Sequence, residues 1–146
     1  MTIREATLED IPDLIDMGMR FHAGSAYSAL LQPSKAVVAS SLRMLIESDS
    51  GAVFVQEREG ELTGAILGII VPHFVTGETV LGELSWWVDE GHRGAGLRLL
   101  AKLEGWAREN GATKSTVIEP MGNPRIGQVY ERMGYQMVEK SWMKAL

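Results

Sequence analysis

The sequence predicts an α/β fold in which a mixed, mostly antiparallel twisted sheet is flanked by helices. Apolar residues recur at helical spacing in four segments, and short apolar runs typical of strands lie between them. The early strands follow one another across a tight turn or short loop, which favours antiparallel pairing. The late strands alternate with helices, which favours parallel neighbours joined by right-handed crossovers. The predicted order of elements is βααβββαβαββ.

The first part of the chain is predicted to form one strand and two helices. The strand runs from Thr2 to Ala6. Thr7 and Asp10 form a helix-start pattern, and the helix is expected to run to about Phe21. A loop over 22–32 then leads to Ser34, a good N-cap for the second helix. The apolar face of that helix is formed by Val38, Leu42, Leu45 and Ile46.

Three strands are predicted in the middle of the chain. They cover Ala52 to Glu57, Leu62 to Val71 and Val80 to Val88. The first two are joined by a turn at Glu59-Gly60, and the last two by a loop over 73–79.

The last part of the chain is predicted to alternate helices and strands. A helix is expected over Leu97 to Ala107 and a strand over Ser115 to Ile118. Asn123 caps a further helix, with Pro124 at its first position, and Gly134 ends it. The segments Tyr135 to Val138 and Trp142 to Ala145 are predicted to be terminal strands.

Composition limits the classes of function. With 146 residues the chain is expected to form one domain over 1–146. The absence of cysteine excludes disulfides, thiolate metal sites and a cysteine nucleophile, and His22, His73 and His92 show no metal-ligand spacing. A formal charge of −5 argues against nucleic acid and anionic membranes as partners. No signal-peptide pattern is visible and the longest apolar run is short, so a cytoplasmic location is expected.

The stretch from His92 to Arg98, His-Arg-Gly-Ala-Gly-Leu-Arg, lies between an apolar strand and a periodic helix. A glycine-rich turn that leads into a helix N-terminus offers free backbone N–H groups and a dipole that favours anions. The residues from 91 to 108 contain four basic side chains against one acidic side chain, Glu104. The sequence therefore predicts a small phosphate-bearing ligand at this turn. The third glycine of a dinucleotide fingerprint, a P-loop and a Gly-x-Ser-x-Gly elbow are all missing.

The order of elements, the turn Arg93-Gly94-Ala95-Gly96 and the later Asn123…Tyr130…Gly134-Tyr135 together resemble the GNAT acyltransferases over nearly the whole chain. The resemblance implies that acetyl-CoA, or another short acyl-CoA, is the cosubstrate and that backbone amides hold its pyrophosphate. Arg98 departs from the family pattern, which usually has a small residue there. It is predicted to reach over a phosphate of CoA, and the alternative is that it obstructs the site. The cofactor-binding residues implied are Trp87, Val88, Arg93, Gly94, Ala95, Gly96, Leu97, Arg98 and Asn123.

The resemblance also implies two catalytic residues. Tyr130 would protonate the departing thiolate, since a phenol, of pKa about 10, keeps its proton at neutral pH and has a pKa close to that of a thiol, about 8.5. Glu83 would act as general base toward the acceptor ammonium. The alternatives are a core aromatic for Tyr130, a surface carboxylate for Glu83 and a plain N-cap for Asn123. On an ideal strand Glu83, Ser85 and Trp87 share one face, unless a bulge intervenes.

The predicted function is acetyl transfer to a primary amine by direct attack, with the developing oxyanion stabilised by a strand N–H at or near Val88. The acceptor is a small-molecule or peptide amine, and the sequence leaves its identity open. A catalytically inactive CoA-binding or protein-interaction module with the same fold is the alternative. The sheet edges could also pair in a homodimer. Four residues in loops that flank the acceptor site in this family are candidates for substrate binding: His22, Tyr27, His73 and Phe74.

Overall fold

The computed structural model describes residues 1–92, 94 and 96–146 of the chain. Within these residues five strands form one sheet in the order β1-β2-β3-β4-β5. Neighbouring strands pair antiparallel from β1 to β4, and β5 pairs parallel to β4. The predicted mixed, mostly antiparallel sheet is therefore confirmed. The strands are β1 (Thr2–Glu5), β2 (Gly51–Arg58), β3 (Glu61–Pro72), β4 (Thr79–Val88) and β5 (Lys114–Thr116).

The predicted helices are all present, with small shifts at their ends. Short 3₁₀ segments, Leu8–Asp10 and Ala26–Ala29, lie before and after the first helix. The first helix starts at the predicted Thr7–Asp10 pattern, where the Asp10 carboxylate accepts the Thr7 N–H at 2.7 Å. The helices are α1 (Ile11–Ala23), α2 (Lys35–Glu47), α3 (Gly96–Glu109) and α4 (Pro124–Arg132).

The two faces of the sheet carry separate cores. Successive residues of a strand point to opposite faces, so Val53 and Val55 pack with α1 and α2, whereas Ala52 and Phe54 pack toward α3. The α3 side holds most of the fully buried side chains, including Leu99. Helices thus cover both faces, as the sequence predicts.

A β-bulge in β4 changes which side chains share a face. The pairing with β3 passes from Leu67↔Ser85 to Gly68↔Glu83, so Leu84 is the additional residue. Directly paired residues of antiparallel strands point to the same side. Glu83 therefore lies on the α3 side, whereas Ser85 and Trp87 lie on the side of α1. The ideal-strand expectation that Glu83, Ser85 and Trp87 share one face is wrong because of this bulge.

Two predictions for the last part of the chain need correction. The strand predicted over Ser115 to Ile118 covers Lys114–Thr116 instead, because side chains rather than the β4 backbone bind the Ile118 peptide. The predicted terminal strands, Tyr135 to Val138 and Trp142 to Ala145, are absent. Alternation gives a segment strand propensity, but a strand also needs a neighbour for its hydrogen bonds, and these segments pair with no described strand of their own chain.

Within the described part of the chain, no helix has the length and apolar character required to cross a membrane.

Candidate active site

A cleft opens where β4 and β5 diverge. The parallel pairing begins at Val80↔Lys114 and ends at Gly82↔Thr116. Beyond that point β4 continues from Glu83 to Val88, while the residues after β5 leave the sheet. The second half of β4 therefore has β3 on one side and no described strand on the other. Polar main-chain groups along such an edge can bind an extended ligand in the manner of an added strand.

Glu83 lies at the point of divergence and is buried, with 7% of its surface exposed. Its carboxylate accepts a hydrogen bond from the Ile118 N–H at 3.0 Å. Burial raises the pKa of Glu83 to about 7, and the hydrogen bond from Ile118 only partly offsets this effect. A carboxylate that titrates near neutral pH is suited to accept a proton from a reacting amine.

Tyr130, on α4, is buried and lies near Glu83. Its hydroxyl donates to the Ile118 carbonyl at 3.0 Å. Burial, and then the negative charge of Glu83, raise the pKa of Tyr130 above its ordinary value. The phenol therefore stays protonated at neutral pH, as a proton donor must.

The Ile118 peptide joins these two side chains. Its N–H binds the Glu83 carboxylate and its C=O binds the Tyr130 hydroxyl. The structure thus brings together the two predicted catalytic residues, which lie far apart in the sequence. Sequence reasoning missed Ile118 because the contribution comes from its backbone, which leaves no side-chain signal.

An aromatic wall surrounds Tyr130. The indole of Trp86 stacks on its ring with centroids 6.4 Å apart, and the ring of Tyr135 lies 5.7 Å away on a tilted plane. The Tyr135 hydroxyl is hydrogen-bonded to Ser115, at 2.8 Å, and to the Glu104 carboxylate. These contacts hold the phenol of Tyr130 in one orientation and keep water away from its ring.

Gly96, the last glycine of the predicted anion-binding turn, lies against the same wall. Gly96 is the first residue of α3, and a Cβ built on it would lie 3.4 Å from the Trp86 ring. Gly94 is exposed, and a Cβ there would meet nothing within 4 Å. Leu97 and Arg98 are exposed in the first turn of α3, where the N–H groups lack intrahelical acceptors. The predicted contacts of Arg93 and Ala95 lie outside the described residues.

Asp89 anchors the loop between β4 and this turn. Its N–H donates to the Thr63 carbonyl at 2.9 Å. Its carboxylate accepts from the indole N–H of Trp87 at 2.7 Å and from Arg20 of α1 at 3.3 Å. The Phe21 and Trp87 rings form a T-shaped pair, with centroids 5.9 Å apart. The end of α1 and the end of β4 are therefore tied together, a link that the sequence pattern does not reveal.

Buried polar groups support the same loop from below. The Gln56 side chain is 1% exposed, and its amide donates to the Thr63 hydroxyl at 3.0 Å and to the His92 carbonyl at 3.5 Å. Gln56 follows apolar strand residues, and its residue type and position predict no functional role for it. Through its contact with the His92 carbonyl, Gln56 supports the backbone that precedes the predicted anion-binding turn.

The four predicted acceptor-site residues divide into two groups. His22 lies in the last turn of α1 and not in the predicted loop, because the helix continues to Ala23, and Tyr27 lies in the 3₁₀ segment that follows. The His22 ring contacts the Leu31 carbonyl at 3.0 Å. His73 and Phe74 lie in the loop before β4, at its opposite end. The His73 ring accepts the Thr76 N–H within its own turn. The structure therefore does not bring these four residues together, and their substrate role remains a prediction.

Asn123 occupies the N-cap position of α4, but its side chain makes no capping hydrogen bond. Its backbone angles, φ −127° and ψ 77°, place it outside the usual extended conformation of a cap. The predicted capping bond is therefore wrong, although the position is right. Asn123 is exposed, which leaves its amide accessible to a ligand.

Comparison with known proteins agrees with this geometry. The model of the Acetyltransferase (GNAT) family matches residues 22–135. A search of curated protein sequences finds no significant match.

Several solved structures share the fold. A mutant of the BH1408 protein from Bacillus halodurans has a TM-score of 0.81 and 17% identity, covering 100% of this chain and 99% of that chain. The aminoglycoside N-acetyltransferase AAC(6')-Iy in complex with CoA has a TM-score of 0.79 and 15% identity, covering 99% and 93%. A ribosomal-protein-alanine N-acetyltransferase from Brucella melitensis biovar Abortus 2308 has a TM-score of 0.71 and 18% identity, covering 100% of both chains.

Proposed function

The chain belongs to the GNAT acetyltransferase family, and we propose that it transfers an acetyl group from acetyl-CoA to a primary amine by direct attack. The observation that carries this proposal is the pairing of Glu83 and Tyr130 through the Ile118 peptide at the mouth of the β4–β5 cleft. Glu83 titrates near neutral pH and Tyr130 stays protonated. Transfer of an acyl group from a thioester to an amine requires this combination, since the amine must lose a proton and the departing thiolate must gain one.

The chain offers a fitting surface for acetyl-CoA. The free edge of β4 near Trp87 and Val88 can pair with the amide groups of the pantetheine arm. Gly94 leaves open space at the turn, and the first turn of α3 provides backbone donors for the pyrophosphate. Arg98 is exposed beside these donors and supplies a positive charge for a phosphate group. The thioester would then lie near Glu83 and Tyr130.

The reaction follows from the two proton-transfer groups. Glu83, directly or through a water, removes a proton from the acceptor ammonium, and the free amine attacks the thioester carbon. A new C–N bond forms, and the developing oxyanion is stabilised by a strand N–H at or near Val88. As the C–S bond breaks, the Tyr130 hydroxyl leaves the Ile118 carbonyl and donates its proton to the thiolate. The nitrogen of the new amide then loses a second proton, which passes to the tyrosinate and restores the Tyr130 hydroxyl. Glu83 releases the first proton to solvent.

The acceptor is proposed to be a small-molecule or peptide amine. Among proteins of the same fold, one is an aminoglycoside N-acetyltransferase and one a ribosomal-protein-alanine N-acetyltransferase, so this fold accommodates both acceptor classes. The acceptor would enter the β4–β5 cleft, where Glu83 lies at the point of divergence of the two strands.

The direct test is a screen by mass spectrometry. The protein is incubated with isotope-labelled acetyl-CoA and a mixture of metabolites and peptides, and release of free thiol is followed in parallel. We expect a labelled N-acetyl product whose formation is abolished or greatly slowed in Tyr130→Phe but not in Ser40→Ala, which removes an exposed hydroxyl of α2. Binding of acetyl-CoA without thiol release for any amine would instead indicate a CoA-binding module.

A further inference from the structure

Gln56 is a buried polar residue in a strand whose other buried residues are apolar. Residues 51–55 of β2 are glycine, alanine, valine and phenylalanine, all of them buried, and Gln56 follows with 1% of its surface exposed. Its side-chain oxygen, Oε1, has no hydrogen-bond partner among the described residues. A buried polar atom without a partner costs free energy, so this side chain lowers the stability of the fold. A residue that costs stability in this way needs a reason in function.

The pairing of β2 with β3 directs the Gln56 side chain toward the start of α3. Gln56 is paired with Gly64, and a Cβ built on Gly64 would contact Leu99 of α3. Directly paired residues of antiparallel strands point to the same side of a sheet. The pairing shifts by one residue just after Gln56, so Thr63 is the additional residue of a β-bulge. The bulge therefore lies on the path from the sheet to α3.

Hydrogen bonds join this bulge to both ends of the loop segment 89–92. The Gln56 amide donates to the Thr63 hydroxyl at 3.0 Å and to the His92 carbonyl at 3.5 Å. The Thr63 carbonyl accepts the Asp89 N–H at 2.9 Å. The His92 N–H closes the segment by donating to the Asp89 carbonyl at 3.0 Å. The bulge thus holds the backbone that leads into the predicted anion-binding turn.

Side-chain packing gives this part of the loop little support. A cavity of about 450 Å³ lies beside it, lined by His92, Thr63 and residues of the β2–β3 hairpin that include Arg58 and Glu61. The Nδ1 atom of His92 is buried and has no hydrogen-bond partner among the described residues. Because space rather than side chains borders the loop here, the position of its backbone depends on the hydrogen bonds to Gln56 and Thr63.

We propose that Gln56 is a positioning residue for the binding of acetyl-CoA, an inference that rests on the proposed function. Gln56 holds the His92 carbonyl toward the interior and so sets the direction in which the chain enters the turn. A planar peptide whose C=O points inward directs its N–H outward, where a phosphate can accept it. Gln56 thus lowers the stability of the free protein and raises its affinity for the pyrophosphate. It acts through the loop backbone and does not itself contact the cofactor.

The test is the substitution Gln56→Met, which keeps the length of the side chain but removes its polar atoms. The Kd of CoA, measured by isothermal titration calorimetry, is expected to rise roughly three- to tenfold, because the support of one carbonyl is lost. The KM for acetyl-CoA should rise with it, whereas kcat at saturation should change by less than about twofold. The urea midpoint is expected to stay the same or to rise, because the unpartnered oxygen is removed as well.

Two controls separate positioning from a general loss of stability. Phe54→Leu, at a buried position of the same strand, is expected to lower the urea midpoint and to leave the Kd of CoA unchanged. Gln136→Met makes the same exchange at an exposed position and is expected to change neither quantity. Thr63→Val, which removes only the hydroxyl that Gln56 binds, is a second variant in case Gln56→Met does not fold. It is expected to raise the Kd by roughly twofold.

Hydrogen exchange gives a readout that does not depend on CoA. The amides of Asp89 and His92 are expected to exchange faster in Gln56→Met than in the native protein. Unchanged exchange, an unchanged Kd, or a Kd that rises only together with a lower urea midpoint would overturn the proposal. A native protein that binds CoA but transfers no acetyl group would count against the proposed function alone, whereas a native protein that binds no CoA would overturn both.

Discussion

The burial of Glu83 makes a quantitative prediction about stability and pH. Glu83→Gln keeps the shape of the side chain and an oxygen that accepts the Ile118 N–H, but removes the titration. In the folded protein burial raises the pKa of Glu83 to about 7, whereas the ordinary value is 4.5. Between these values the folded state holds a proton that the unfolded state has released. The free energy of unfolding therefore falls as pH rises through this window, and the contribution is fully lost above pH 7.

The size of this effect follows from the difference between the two pKa values. That difference is 7 − 4.5 = 2.5 units. At 1.36 kcal/mol per unit it corresponds to about 3 kcal/mol, of which about 2.5 kcal/mol is lost between pH 5 and pH 8. The glutamine variant has no such contribution, so its stability relative to the native protein should rise by that amount over the same interval.

The measurement is urea unfolding of both proteins at several pH values from 5 to 8, where other titrating groups cancel in the comparison. The pH–rate profile provides a second readout, since the native kcat/KM should rise with an apparent pKa near 7 and that limb should be missing in Glu83→Gln. If the stability difference between the two proteins stays constant with pH, Glu83 is not buried as the structure shows. If the pH–rate profile is unchanged, the general base lies elsewhere.

Three further substitutions test separate parts of the structure. Arg98→Ala should weaken acetyl-CoA binding roughly three- to tenfold, and the effect should be smaller at high salt. The control is Arg108→Ala at the far end of α3, which should leave binding unchanged. Tighter binding by Arg98→Ala would mean that Arg98 obstructs the site. Asp89→Asn should raise the KM for acetyl-CoA by about fivefold and affect kcat less, because one charged contact with Arg20 is lost. The control is Glu90→Gln, which removes the neighbouring charge. Gly68→Ala should cost about 1–3 kcal/mol in urea unfolding, because the added Cβ would lie 2.9 Å from the Leu103 methyl groups, whereas Gly105→Ala, in open space on α3, should be neutral or stabilising.

Local signals in the sequence predict most of the fold. The Thr7–Asp10 pattern locates the start of the first helix, and helical spacing locates α3 with an error of about two residues at its C-terminal end. The bulge at Leu84 is different, because it depends on how β3 and β4 pair, and it determines that Glu83 and Trp87 lie on opposite faces. The predicted terminal strands are absent for a similar reason. Their side-chain pattern is typical of strands, but they pair with no described strand of the same chain.

The side chains of the site could be predicted from the sequence, but the hydrogen bonds that join them could not. Glu83 and Tyr130 are assigned by resemblance, and the structure adds that one peptide, at Ile118, joins them. Gln56 and Asp89, which support the approach to the anion-binding turn, have no motif of their own. Their contribution comes from contacts between distant parts of the chain.

The central claim is that Tyr130 protonates the thiolate while Glu83 accepts the proton of the amine. The most direct measurement is kcat of Tyr130→Phe at saturating acetyl-CoA, together with the Kd of acetyl-CoA. Phenylalanine keeps the stacking on Trp86, so the Kd should change by less than about twofold while kcat falls on the order of 10²- to 10⁴-fold. Full turnover by Tyr130→Phe would contradict the assignment of Tyr130 as the acid.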